Sequence, residues 1–443
     1  MTRLGDVCEK IGSGATPRGG KEAYKDAGIP IIRSQNIHDW VFQPDGLAFL
    51  DDEQAESLSN VEVRSNDVLL NITGDSVARA CIVPSERIPA RVNQHVAIVR
   101  AGKEINPTYL LASLQSKKTT LLSLASSGAT RNALTKRMIE NLDIDLPSRE
   151  MQDSIAQVLD SIQYKITLNN RLNDYLADLC ETIAGKYCND RNSCLRDICY
   201  QVTDHVDYGN ANHETYVSTE SLMQNKGGRQ LASSLPTAGK ITRYKAGDTL
   251  ISNIRPYFKK IWYAPFEGTC SGDVIVFRAN DPSNAPYLHA CLRQDSFFDY
   301  VMQGAKGTKM PRGDKKQMME FKVASSCSTK DLILLDSAIK QRSDNDSETV
   351  KLQALRDTLL PKLMSGEIDV SKVDLTQLTN NHLWVHGHNV PNRYWKGRLW
   401  KPSLIMFCHR CRTCSIRHSS NIWPKYSESR YCQLRKHPCR RIC

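Results

Sequence analysis

Two glycine-rich runs, Gly12-Ser13-Gly14-Ala15 and Gly19-Gly20, are the places where backbone amides could cradle a phosphate. Neither follows a clear strand or opens a helix with a suitable lysine. No Gly-x-x-x-x-Gly-Lys-Ser/Thr loop exists elsewhere, so both read as turns. No Asp/Asn-Pro-Pro-aromatic tetrad could hold an amino group for methyl transfer, and no spaced Asp…Glu-x-Lys group could hold a metal for phosphodiester cleavage. Cys188, Cys194 and Cys199 lie close together without a zinc spacing. Cys408-x-x-Cys411-x-x-Cys414, with His409 and His418 nearby, lacks a second ligand pair at a sensible distance. These residue types point to a binding protein, with no cofactor or metal of its own.

The composition of the 443 residues, 40% hydrophobic and 24% charged, is that of a globular chain with two or three domains. No stretch approaches the roughly 20 apolar residues of a bilayer span. The start, MTRLGDVCEKIG, has no apolar run behind a basic segment, so a cytoplasmic protein is expected. The net charge of +11 is misleading. Residues 381–443 hold thirteen Lys or Arg and one acidic residue, Glu428, which leaves the first 380 residues near neutral. Only local patches could attract a polyanion. Six of the fifteen cysteines also fall in that terminal stretch; the other nine read as reduced, packed thiols.

The elements that would position a binding site come in duplicate. Asn66-Asp67-Val68-Leu69-Leu70-Asn71, Asn93-Gln94-His95-Val96-Ala97-Ile98-Val99-Arg100, Pro107-Thr108-Tyr109-Leu110 and Ser127-Gly128-Ala129-Thr130-Arg131 succeed one another in the first half. Gly247-Asp248-Thr249-Leu250-Ile251-Ser252-Asn253, Ser271-Gly272-Asp273-Val274-Ile275-Val276-Phe277-Arg278, Pro286-Tyr287-Leu288 and Gly304-Ala305-Lys306-Gly307-Thr308-Lys309 follow in the second, about 180 residues on. That period is too long for a solenoid and points to a duplicated, pseudo-symmetric molecule. His95 has Asp273 at its counterpart, so no shared catalytic role follows.

Val68–Ile72, Val96–Val99 and Ile275–Phe277 read as buried strands. Asn106–Leu124 and Ala285–Val301 read as helices opened near a proline. Each half closes on a long helical pattern. Ile155, Ile162, Asn169, Leu176 and Ile183 recur every seven residues, with Val158, Lys165, Leu172 and Leu179 three residues later. Leu332, Leu335 and Ile339 begin the second pattern and Leu352, Leu355, Leu359 and Leu363 end it. The polar run Gln341–Glu348 weakens it between, and Pro361 should kink or stop it near its last turn. The expected fold is α+β: two similar heads separated by two long antiparallel coiled-coil helices. The expected boundaries are 1–147 for the first head, 148–187 for the central helix and 188–329 for the second head. The C-terminal helix takes 330–375, and a basic, Cys-rich, disordered tail takes 376–443.

Leu4-Gly5-Asp6-Val7, Ile11-Gly12-Ser13-Gly14-Ala15-Thr16-Pro17 and Ile31-Ile32-Arg33-Ser34-Gln35-Asn36-Ile37 resemble the opening of type I restriction-modification specificity subunits. The resemblance continues through Asp67–Gly74, Asn93-Gln94-His95, Leu146–Gln152, Thr308–Arg312 and Leu359–Ile368, and so covers residues 1–375. It implies a non-catalytic DNA-recognition subunit. Each head would be a target-recognition domain reading half of a split, asymmetric duplex site. The helices would space the heads and dock two methyltransferase subunits, with a restriction and translocase subunit joining through the complex. Arg, Lys, Asn and Gln are the residue types that read base edges. By type, the candidate DNA contacts are Arg33, Gln35, Asn36, Gln94, His95, Thr130 and Arg131 in the first head. In the second they are Asn253, Arg255, Lys306 and Lys309. A stand-alone restriction or methyltransferase enzyme, a decayed specificity subunit and a bundle with two unrelated binding heads stay open as alternatives. The resemblance stops near Asp374. The tail reads as an out-of-frame or acquired extension, with a basic nucleic-acid arm and a zinc site as the other readings.

Overall fold

The computed structural model describes residues 1–126, 132–187 and 192–370; Thr130, Arg131, Cys188 and the tail with its cysteine cluster lie outside the described residues. In the first head the apolar runs form one antiparallel sheet, ordered Cys8–Ser13, Val96–Ala101, Val68–Asn71, Ala80–Ile82. Alternate side chains serve two cores. Val68, Leu70, Ala97 and Val99 face the helices, while Leu69, Val96 and Ile98 face a second sheet. A sheet covered on both faces shows continuous apolar runs, as these strands do. The Gly12–Ala15 run is the exit from the first strand. A Cβ on Gly14 would lie 2.1 Å from the Val92 carbonyl oxygen, so the glycine is required by a close backbone crossing.

The second head repeats the plan with Cys199–Gln201, Val274–Ala279, Thr249–Ser252 and Ile261–Tyr263 in the same order. The likeness extends to single hydrogen bonds. Ile72 N donates to His95 O at 3.0 Å, and Asn253 N donates to Asp273 O at 2.8 Å. Asp67 holds Arg100 in a two-pronged ion pair, 2.7 and 2.8 Å, and Asp248 holds Arg278 at 2.7 and 2.6 Å. The two heads diverge in the other sheet. Ile29–Ile32, Ala90–Val92 and Glu62–Val63 correspond to Tyr216–Val217, Gly268–Cys270 and Lys240–Tyr244, with a parallel pair in each. The fourth strand is Ala48–Leu50 on one edge in the first head and His205–Asp207 on the opposite edge in the second.

The long helices run Arg149–Lys186 and Thr329–Met364, started by Ser148 and Ser328, whose hydroxyls accept from Met151 N and Asp331 N. Lys186 meets Asp331, Asn173 meets Asn345, and Gln163 meets Arg356, so the helices are antiparallel. Their seam differs from the expectation. Beside Ile155, Ile162, Asn169 and Ile183 it uses Leu159, Ile166, Asn173 and Cys180, one residue beyond the expected Val158, Lys165, Leu172 and Leu179. The alternating three- and four-residue step keeps both rows on one helix face, and leaves Leu172 and Leu179 about 40% exposed. Gln341–Glu348 does not interrupt the second helix, because Asn345 and Glu348 bond to Asn173 and Asn169 across the seam. Pro361 sits in its last turn, with the helix ending at Met364.

Each of the two expected shorter helices is instead a pair. Pro107–Ser116 is followed by Lys118–Ser126, and Ala285–Leu292 by Asp295–Gln303. The second break is held by Arg293, whose Nη1 donates to Lys226 O at 3.2 Å, and by Gln294 in extended backbone. The first head packs on Ile155 and Leu159 of the first long helix and on Leu360 and Leu363 of the second. The second head packs on Cys180 and Ile183, and on Leu335 and Ile339. The heads therefore sit at opposite ends of the helix pair.

Candidate nucleic-acid interface

In each head, the strand that follows the buried aspartate ends at a rim where three loops meet. In the first head, Asn71 Nδ2 donates to Ser34 O at 2.9 Å and ties down the Arg33–Asn36 loop. Thr73 and Ala133 form a bridge, so the strand carries on to the described segment that begins at residue 132. His95 Nδ1 lies 2.7 Å from Thr73 Oγ1, and its Nε2 lies 3.1 Å from Gln94 Nε2. Thr16 Oγ1 donates to Gln94 Oε1 at 2.5 Å. With the Gln94 amide donating to Nε2, His95 carries its proton on Nδ1 and donates to Thr73. The imidazole is thus occupied in positioning Gln94, which is exposed.

Arg33, Gln35 and Asn36 divide into two kinds. Asn36 is fully buried. Its Oδ1 accepts from Arg33 N at 3.1 Å and its Nδ2 donates to Gln43 O and Asp45 O, so it shapes the loop from inside. Arg33 and Gln35 both donate to Gly46 O, at 2.6 and 3.1 Å, with the Arg33 guanidinium over the Tyr24 ring. Gln35 is exposed and Arg33 half-buried, its Nε without a hydrogen-bond partner.

The second rim is built the same way from different residues. Asn253 is buried, Arg255 half-buried, and both carry a buried polar atom without a hydrogen bond, Oδ1 and Nε respectively. Arg255 stands in left-handed backbone at φ 50°, as does Lys259, and between them Pro256–Phe258 forms a tight turn that exposes Tyr257. Arg255 N donates to Pro311 O at 2.8 Å, which joins this turn to the loop of Lys306 and Lys309. Both lysines are exposed. Lys306 pairs with Asp314 at 3.2 Å, and Asp314 is pulled below the ordinary carboxylate range chiefly by backbone N–H donors and by that lysine. Arg312 pairs with Asp273 at 3.1 Å, in the position His95 takes in the first head. Arg312 and Asn71 have the candidate residue types but are not among the sequence candidates; the bridge of Arg312 to Ile254, matching Ala133 to Thr73, reveals its place.

The arrangement is a pair of related, chemically distinct rims, rich in amide and guanidinium donors, on an α+β frame with two long helices. The family model of the type I restriction modification DNA specificity domain matches residues 1–178. The chain is 25% identical over 129 residues to the type I restriction enzyme EcoDI specificity subunit of Escherichia coli, covering 29% of each chain. It is 23% identical over 178 residues to the putative type I restriction enzyme MjaX specificity subunit of Methanocaldococcus jannaschii, covering 39% of this chain and 41% of that one. The matches thus span less than half the length of these relatives. The crystal structure of the type I restriction-modification system S subunit from M. genitalium overlays with a TM-score of 0.48 at 14% identity, over 82% of this chain and 95% of that one. Over residues 1–178 the chain is thus similar to the DNA specificity domain of type I restriction-modification systems. Among the described residues no helix is long and apolar enough to cross a membrane.

Proposed function

We infer that the protein is the non-catalytic DNA-reading subunit of a type I restriction-modification complex. Each head reads one half of a split, asymmetric duplex target, and the paired helices set the gap. The observation that carries this reading is the repeat: one frame, repeated down to a backbone hydrogen bond and a buried ion pair, presents two rims that differ in their exposed donors. Different rims favour different half-sites, whereas a symmetric dimer would favour a palindrome. The anchor residues Leu159 and Cys180 are 21 positions apart on one helix, roughly 30 Å at the α-helical rise, or several base pairs of duplex. Two methyltransferase subunits dock on the spacer, and a restriction and translocase subunit joins through them. Tyr164, Leu172, Tyr175 and Leu179 support the docking, because they form an exposed apolar stripe along one face of the first long helix.

Co-purification with the cognate methyltransferase subunit, followed by methylation mapping, tests the reading. The expected result is a stable complex that writes adenine methylation into a two-part, non-palindromic motif. Leu172→Asp with Leu179→Asp should abolish the complex while the circular dichroism spectrum is kept. Failure of the unaltered chain to bind the methyltransferase, or turnover by the chain alone, would overturn it. Arg131→Ala and Lys309→Ala should each lower the slope of log affinity against log salt by about 0.9, the value for one lost phosphate contact. If both leave affinity and slope unchanged, these loops do not touch DNA.

A further inference from the structure

A cavity of about 470 Å³ lies between the second head and the second long helix, apart from either rim. One wall is aromatic, made by Trp262 and Phe266, with the Arg229 guanidinium 5.3 and 5.4 Å from their ring centroids. The opposite wall is the helix, which contributes Arg342, Lys351, Ser343 and Ser347 together with the carboxylates Asp344 and Asp346. Arg293 and His289 close the floor. Arg229, Arg293 and Arg342 each have a buried Nε with no hydrogen-bond partner, so three of the orphaned buried donors among the described residues line this one space. Buried guanidinium nitrogens without an acceptor are costly, and an anion in reach of them removes that cost.

The floor strengthens the case. Burial and the neighbouring Arg342 push the Arg293 guanidinium down to about 10, and Glu181 offers its Nε only a 3.5 Å ionic approach. The buried His289 is held well below its ordinary range by the same desolvation and the same two arginines, so it is neutral. The first head differs at the corresponding positions. Leu111 and Gln115 stand where His289 and Arg293 stand, and the Gln115 amide is already engaged by Asp39 and Ala80 O. The cluster of three arginines is therefore not a by-product of the shared frame.

We propose that this cavity binds a phosphorylated planar base, with the ring against Trp262 and Phe266 and the phosphate between Arg293 and Arg342. The volume is in the range of small-ligand sites, which pair apolar walls with a few placed polar groups. Guanidinium forks suit phosphate, and indole and phenyl faces suit a base. The base can come from a free mononucleotide or from a single-stranded nucleic acid.

Isothermal titration calorimetry on the full chain distinguishes these sources, with adenosine monophosphate, adenosine, inorganic phosphate and a single-stranded hexanucleotide as probes. One equivalent of adenosine monophosphate should bind, and more tightly than adenosine or phosphate. Arg342→Ala should weaken it about ten- to hundred-fold, the loss of a charged hydrogen bond. Arg342→Lys, which keeps the charge and loses the fork, should recover part of that. A hexanucleotide that binds more tightly still, and loses its affinity in Arg342→Ala, supports the site and assigns nucleic acid as the source. No binding of any base-bearing probe overturns the proposal, as do equal affinities for phosphate and adenosine monophosphate or an Arg342→Ala chain that binds as the parent does.

Discussion

Asp67→Ala is expected to cost the first head about 3–5 kcal/mol, the largest effect of any single polar substitution considered for this chain. The Asp67 side chain is fully buried and that of Arg100 is 11% exposed, so removing the carboxylate strands a guanidinium that water reaches poorly. It also frees Arg64 N, which donates to Asp67 Oδ2 at 2.7 Å. Glu9, 3.9 Å from Arg100 and largely exposed, is a weak substitute. Asp248→Ala should cost less, about 2–3 kcal/mol, because the Arg278 side chain is 23% exposed and can regain hydration. Two heads make a single melting temperature ill-defined. Hydrogen exchange in Val68–Asn71 and Val96–Ala101 measures the loss directly, with the second head as internal reference. Asp67→Ala protection within about 1 kcal/mol of the parent would show that water enters the pair and that the repeat of Asp67 and Asp248 is not energetic in origin.

This same pair explains why the duplication could be read from sequence. Asp67 and Arg100 are 33 residues apart and Asp248 and Arg278 are 30 apart, each at the edge of an apolar run, so the spacing of an ion pair survives where surface residues have changed. The antiparallel helices and the double heads were legible for a similar reason: heptads and strand runs are local patterns. The seam's row was not. Leu172 and Leu179 look apolar enough to be inside, but Asn173 and Cys180 are the buried ones, and the role of Asn173 depends on Asn345, 172 positions away. The rims were legible as loops and only partly as side chains. Gln94, Lys306 and Lys309 are exposed as a reading residue must be. Asn36 has the same residue type yet spends both ends of its amide on backbone, a distinction that lies in three hydrogen bonds and not in composition. The cavity of Arg229, Arg293 and Arg342 left no sequence trace, since its walls come from three distant segments.

The polar middle of the helix pair gives the second large effect. Asn345 Nδ2 donates to Asn173 Oδ1 at 2.8 Å, Asn173 Nδ2 donates to Asp346 at 2.7 Å, and Asn169 Nδ2 donates to Glu348 at 2.8 Å. Asn345→Ala should cost about 1–3 kcal/mol, because it leaves the Asn173 carbonyl oxygen buried without a donor. Asn345→Leu combined with Asn173→Leu should recover part of that loss, since this pair then becomes apolar on both sides while Asp346 loses the Asn173 donor. Whether it also frees the register depends on which anchor is stronger. The network is worth about 1 kcal/mol net per hydrogen bond. The heads clamp the helix ends with Ile155, Leu159, Leu360 and Leu363 on one side and Cys180, Ile183, Leu335 and Ile339 on the other. Each buried aliphatic side chain of that size contributes about 1.5–3 kcal/mol, so the clamps outweigh the network. The double leucine chain should therefore keep its register, and pulsed electron resonance between spin labels on the two heads should give the parent's single distance. A slip of one heptad would instead move the helices by roughly 10 Å. A second population at such a distance would assign the register to the asparagines and not to the heads.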